Sequence, residues 1–176
     1  AREAGFDNIN MDFIAGLPNE TIEDMRNTME EAVKLNPDSI TVHSLAIKRA
    51  ARLNMFKENY KEMTIENNTD IMRLCSEYAG KLNMKPYYMY RQKNMAGNME
   101  NVGYAKEGKA GIYNILIMEE KQTIAALGAG AVTKYVFPKG GRIERVDNVK
   151  NVEQYIERID EMIGRKEKFI DNLRQE

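Results

Sequence analysis

Residues 7–14, Asp-Asn-Ile-Asn-Met-Asp-Phe-Ile, alternate in polarity, and a period of two is the mark of a β-strand. Ile9, Met11 and Phe13 point one way; Asn8, Asn10, Asp12 and Ile14 point the other. Gly16-Leu17-Pro18 supplies turn chemistry at its end. Thr21 then caps a helix, with Asp24 three residues on as the acidic half of a capping box. Ile22, Met25, Met29, Ala32 and Val33 form the apolar stripe of that helix, and Asn36-Pro37-Asp38 stops it. Residues 39–46, Ser-Ile-Thr-Val-His-Ser-Leu-Ala, read as a second strand. Strand, helix and strand with short loops form a βαβ unit, so the two strands are expected to be parallel, joined by a right-handed crossover. Two parallel strands cannot cover both of their faces. Further strands are therefore expected, N-terminal to Ala1. Residues 1–4 read as the end of a helix stopped by Gly5, which fits a chain cut from a longer protein.

Beyond residue 47 the pattern weakens. Residues 48–66 are charged and poorly periodic. Asn68 or Thr69 caps a helix to about Leu82, with Ile71, Cys75, Tyr78, Ala79 and Leu82 on one face. Pro86 opens a short aromatic strand over 87–92. Residues 93–111, with four glycines and three asparagines, read as a long loop, a kind that is usually functional or disordered. Residues 112–118 read as a strand, and 119–127 lean to helix. Gly128-Ala129-Gly130-Ala131 is a tight turn. Residues 132–137 and 142–146 flank Pro138-Lys139-Gly140-Gly141 as a hairpin. A last helix runs from Val152 through about Phe169, with a bend expected at Gly164.

Charge and cysteine content narrow the function. The 176 residues carry a net charge of −1, which gives no long-range attraction to nucleic acid or to an acidic membrane. No apolar run reaches the length of a membrane span. A lone cysteine, Cys75, rules out an internal disulfide and fits a reducing, cytoplasmic setting. With a lone histidine, His43, it cannot build a zinc or cluster site, so any metal must be held by residues outside this chain.

The polar face of the first strand is the strongest chemical clue. A central strand of a parallel sheet is normally apolar on both faces. Asn8, Asn10 and Asp12 must therefore face water, a ligand or a polar barrel interior. Asp12 lies near the C-terminal end of its strand, where α/β folds bind ligands. Its carboxylate can accept hydrogen bonds from a ribose diol or an amine. An edge strand with a solvated face explains the pattern equally well. Gly128-Ala129-Gly130 lacks the spacing of a phosphate loop and reads as a structural turn. His43 reads as a hydrogen-bonded core residue. Tyr87, Tyr88 and Tyr90 could stack on a flat ligand or pack on the preceding helix. Arg91 and Lys93 could meet carboxylates or simply face solvent. The twelve methionines read as core filler.

The stretch Asn8 to Thr21, Asn-Ile-Asn-Met-Asp-Phe-Ile-Ala-Gly-Leu-Pro-Asn-Glu-Thr, resembles the fifth-strand signature of the radical S-adenosylmethionine (SAM) proteins of the oxygen-independent coproporphyrinogen III oxidase family. Thr41–Ala46 is similar to the sixth strand of the same barrel. Tyr88–Tyr104 and Leu127–Ala131 resemble segments that follow the barrel, in wording closest to the coproporphyrinogen dehydrogenase subgroup. The resemblance implies an α/β fold: the C-terminal part of a partial (β/α)6 radical SAM barrel in residues 1–50, followed by a small α+β extension in 51–176. It implies SAM and a [4Fe–4S] cluster as cofactors, with the cluster's CxxxCxxC ligands outside this chain. A 5′-deoxyadenosyl radical would take hydrogen from a propionate of a tetrapyrrole substrate, and loss of carbon dioxide would leave a vinyl group. By position Asp12, Ile14 and Ala46 match SAM contacts, and Arg91 and Lys93 would lie on the substrate side. An electron donor is the implied partner, and no nucleic acid. This segment alone should be inactive, and on its own should self-associate through the uncovered strand edge. The alternatives are a haem-binding chaperone of the same family and a stand-alone α/β binding module.

Overall fold

A computed structural model describes residues 1–46, 58, 62–91, 93–137 and 141–175. The charged stretch that begins at residue 48 lies largely outside the described residues, as do Gln92 and the hairpin tip at 138–140. The chain divides into two compact units, Ala1–Ile115 and Leu116–Glu176, and each is described by itself.

The first unit is built on the expected βαβ. β1 (Asn10–Ala15) and β2 (Ser39–Ser44) are parallel, in register from Asn10 opposite Ser39 to Ala15 opposite Ser44. α1 (Ile22–Leu35) joins them. Thr21 caps it: its hydroxyl accepts from the Asp24 N–H, and its own N–H donates to the Asp24 carboxylate at 2.8 Å. Asn36, left-handed at φ 49°, closes the helix, a conformation that asparagine tolerates better than other side chains. Ahead of β1, a single turn over Arg2–Ala4 ends at left-handed Gly5.

Two further strands extend the sheet. α2 (Thr69–Lys81) is capped by Asn68, whose side chain accepts from the N–H groups of Asp70 and Ile71. β3 (Lys85–Tyr90) and β4 (Asn101–Ala105) follow it. The strand order is β1-β2-β4-β3; β4 is antiparallel to both β2 and β3. β4 falls inside the stretch read from sequence as loop. Its Asn-Val-Gly-Tyr-Ala composition has poor strand propensity, and the pairing with β2 and β3 decides its conformation. α1 and α2 both pack on one face of the sheet. The core there is Met25, Met29, Ile40, Val42, Ile71, Leu74, Cys75, Tyr78 and Tyr104, with Met11 and Phe13 packed against it. Period two on the strands thus delivers Met11 and Phe13 to the helices and Asn10 and Asp12 to the opposite face, as the alternation requires.

Residues 112–118 form a short helix, α3 (Ile112–Met118), in place of the expected strand. The run is apolar except for Asn114, and one polar residue in seven does not separate the two periods. The Ile115 N–H donates to Gly111, and the Asn114 amide reaches the Tyr87 hydroxyl.

The second unit holds the expected hairpin. β5 (Val132–Val136) and β6 (Ile143–Asp147) are antiparallel. Residues 119–127 are not helical: Ile124 bridges Lys134, and the Thr123 hydroxyl accepts from the Val136 N–H. The terminal helix breaks at Arg158 into α4 (Val152–Glu157) and α5 (Ile159–Gln175). α5 runs on continuously through Gly164, where an added Cβ would meet nothing within 4 Å. Tyr135, Phe137 and Val146 form the small core with Phe169, whose ring stacks on Tyr135 at 5.1 Å.

Candidate functional site

The sheet face turned away from α1 and α2 is the polar one. The strand register brings Asn10, Asp12 and Ile14 of β1 beside Ser39, Thr41 and His43 of β2. Gly103 of β4 lies opposite Thr41, and Tyr88 of β3 lies opposite Gly103. Side-chain hydrogen bonds knit this surface. The Ser39 hydroxyl donates to Asn10 at 3.0 Å, and the Asn10 amide donates to Asp12 Oδ1 at 2.7 Å. The Tyr88 hydroxyl reaches Thr41 Oγ1 at 3.4 Å. Burial pushes the Tyr88 phenol above its ordinary pKa, against the opposing pull of the Thr41 hydrogen bond.

At the C-terminal ends of β1 and β2 this face dips into a hollow of about 410 Å³ lined by Asp12, Ile14, His43, Ser44, Leu45, Ala46 and Asn101. The Leu45 N–H donates to Ala15 and the Ala96 N–H to Leu45, while Ala46 bridges Met95. These bonds carry the chain past the end of β2 and set Ala46 in the wall. The Asn101 side-chain Oδ1 accepts from the Ser44 N–H at 2.8 Å, and the Ser44 hydroxyl donates to the Glu100 main-chain carbonyl. Asp12 remains 62% exposed as a side chain, with His43 Nε2 at 3.8 Å from its Oδ1.

Three of the residues singled out in the sequence therefore meet in one hollow: Asp12, Ile14 and Ala46. An exposed carboxylate accepts from a diol, an exposed isoleucine offers a flat apolar contact, and alanine leaves room. That donor set fits an adenosyl group. Arg91 and Lys93 are not among the lining residues. Arg91 pairs with Glu100, and Lys93 is exposed in the turn that follows β3. Cys75 is buried in the helix-side core, where burial pushes its thiol up to about 12. Among the described residues there is no cluster of histidine, cysteine and carboxylate groups able to hold a metal ion.

His43 departs from its core assignment. Its side chain is 30% exposed and faces the hollow. The signal was present: Ser39, Thr41 and His43 alternate in the second strand just as Asn8, Asn10 and Asp12 do in the first. The Gly128–Gly130 turn is structural, as expected. Both glycines have positive φ; the Asn148 amide donates to the Gly128 carbonyl at 2.8 Å, and the Tyr155 hydroxyl accepts from the Gly128 N–H.

No family model matches the chain. It is 40% identical over 173 residues to the oxygen-independent coproporphyrinogen-III oxidase-like protein HemZ of Bacillus subtilis (strain 168), an alignment that covers 98% of this chain and 34% of that protein. The chain belongs to the oxygen-independent coproporphyrinogen III oxidase-like family. The chain is also similar to the heme chaperone HemW of Haemophilus influenzae, 26% identical over 156 residues, covering 89% of this chain and 37% of that one. Among solved structures, the fold matches coproporphyrinogen III oxidase (HemN) from Escherichia coli, described as a radical SAM enzyme, with a TM-score of 0.57 at 17% identity over 91% of this chain and 36% of that one. The chain thus has the α/β fold of the matching part of that enzyme, with a partial sheet. It spans about a third of the length of these relatives.

Proposed function

We propose that this chain is the C-terminal wall of a cytoplasmic radical SAM enzyme that oxidatively decarboxylates propionates of coproporphyrinogen III to vinyl groups. The observation that carries this reading is the meeting of Asp12, Ile14 and Ala46 in one hollow at the carboxyl ends of parallel strands. The 40% identity to the HemZ protein supports it. Asp12 would accept from the ribose of SAM, with Ile14 and Ala46 against its adenine. Bound beside a [4Fe–4S] cluster held by residues outside this chain, SAM would supply a carbon radical able to take a hydrogen atom from the propionate, and the electron left as carbon dioxide departs would pass to an external one-electron acceptor. An external electron donor would supply the electron that cleaves SAM.

On this reading residues 1–50 belong to the barrel and 51–176 to an extension, although β2 and β4 pair across that boundary in one sheet. Arg91 and Lys93 lie on the substrate side, where a propionate would compete with Glu100 for Arg91. β1 lies at one end of the strand order, and its outer edge is where earlier barrel strands would pair. The chain alone should then form oligomers in light scattering, and a monodisperse monomer would count against that edge.

Two measurements on the full-length protein test the reading. Anaerobic turnover of isotope-labelled coproporphyrinogen should release labelled carbon dioxide. Asp12→Asn should weaken SAM binding by about 1.5–3 kcal/mol, the range for a hydrogen bond to a charged group, with little change in the ligand-free melting temperature. A large loss of melting temperature with unchanged SAM affinity would remove Asp12 from the site. The likeness to the heme chaperone HemW favours a second reading, a haem carrier on the same fold. Stoichiometric haem binding without carbon dioxide release would select it.

A further inference from the structure

We propose that His43 is a second ligand-binding residue of the Asp12 hollow, and that the two side chains together read the two hydroxyls of a vicinal diol. The inference rests on the reading that the hollow takes the ribose of SAM.

The parallel register sets Asp12 opposite Thr41 and Ile14 opposite His43, so the carboxylate and the imidazole project from neighbouring strands on the same open face. His43 Nε2 stands 3.8 Å from Asp12 Oδ1. That is beyond the roughly 2.7–3.2 Å of an N–H···O hydrogen bond. The two groups stand side by side, each able to take its own partner. Asn10 engages Asp12 Oδ1 from below, and a carboxylate has about four acceptor sites. Asp12 thus keeps capacity toward the hollow.

The remaining polar lining points elsewhere. The Ser44 hydroxyl donates to the Glu100 main-chain carbonyl, and the Asn101 side-chain Oδ1 accepts from the Ser44 N–H. A neutral imidazole has one donor and one acceptor nitrogen, so it can pair with a hydroxyl in either sense. Adjacent hydroxyls on a five-membered ring lie side by side, as these two groups do. One hydroxyl would donate to Asp12, and its neighbour would pair with His43 Nε2. Ile14, opposite His43 and 44% exposed, would lie along the apolar remainder of the nucleoside.

The test is calorimetric titration of the full-length protein with SAM and with its 2′-deoxy and 3′-deoxy analogues. The proteins compared are wild type, His43→Ala, His43→Phe, His43→Gln and Asp12→Asn, each with a ligand-free melt. His43→Ala and His43→Phe should each lose about tenfold in SAM affinity, equivalent to about 1.4 kcal/mol. His43→Gln should retain most of it, and melting temperatures should stay level. One of the two deoxy analogues should bind His43→Ala nearly as well as SAM does. Wild-type affinity in His43→Phe would mean ring packing alone, and a fall in all three melting temperatures would mean a structural role. Either result overturns the inference. Weakened binding in Asp12→Asn with every His43 variant like wild type would sink this inference alone. Failure of the wild type to bind SAM would sink the functional reading and this inference with it.

Discussion

The ring of Tyr88 occupies the space that a side chain on Gly103 would need: a Cβ built there falls 2.0 Å from the tyrosine Cε1. Glycine at this position lets the ring cross β4 and bring its hydroxyl to Thr41 on β2. Gly103→Ala must push the ring aside and break that bond, and should cost about 1–3 kcal/mol, the range for inserting volume into a packed site. Tyr88→Ala removes the obstacle. The double variant should therefore be less destabilised than the sum of the two single ones. Urea denaturation of all three checks this; strict additivity would show that the contact carries no energy.

Two left-handed glycines should respond differently to the same substitution. Gly97 has φ 63°, and a Cβ there would sit 1.8 Å from the Asn67 carbonyl oxygen; Gly108 has φ 72° and nothing within 4 Å. Gly108→Ala should cost about 1–2 kcal/mol for the backbone conformation alone. Gly97→Ala adds a collision with main chain and should cost about 3–5 kcal/mol. Equal losses in chemical denaturation would contradict the tight approach of the 96–98 turn to Asn67.

Asp38 should make the first unit acid-sensitive. Burial pushes its carboxyl up, but the Ile9 N–H, Arg2 at 2.6 Å and the charge of Lys109 outweigh burial and hold it below the usual aspartate range. A carboxyl depressed in the folded state adds stability at pH values above its unfolded value, about 3.9, and loses it as pH falls through the folded value. Asp38→Asn should lower stability by about 1–2 kcal/mol at pH 7. The gap from wild type should narrow below about pH 4. A gap that stays constant down to pH 2.5 would show that the charge of Asp38 is not involved.

The βαβ unit was legible because every level agreed: period two, a reciprocal cap at Thr21 and Asp24, and a period near 3.6 between them. The hairpin at 132–147 and the Gly128–Gly130 turn were legible for similar local reasons. β4 was not. Asn101, Gly103 and the asparagines before them look like loop chemistry, and their strand conformation comes from partners far away in sequence. α3 was missed because a short, largely apolar run broken only by Asn114 has no clear period to read. In the hollow, Asp12 was visible as a departure from an apolar strand, and Ile14 was named from the family wording. Ala46 came from the family wording, since an alanine at a strand end announces nothing by itself. His43 was misplaced because a lone histidine on a buried-looking strand was weighed without the alternation that puts it on the open face.

The bond from the Ser44 N–H to the Asn101 side chain spans 57 residues, against 29 for the Ser39–Asn10 bond across the β1–β2 pair. A sheet whose halves close loops of such different length does not assemble at once. The β1–β2 pairing loses less chain entropy than the β2–β4 pairing and is favoured ahead of it, so β1, α1 and β2 can come together as one local unit while β3 and β4, whose partners lie still closer in sequence, pair as another. Asn101 then acts as a latch. Its amide continues the β2–β4 ladder beyond the last backbone rung, and the wall of the hollow is complete only when it closes. The wall of the hollow is then expected to be among the last parts of this unit to close.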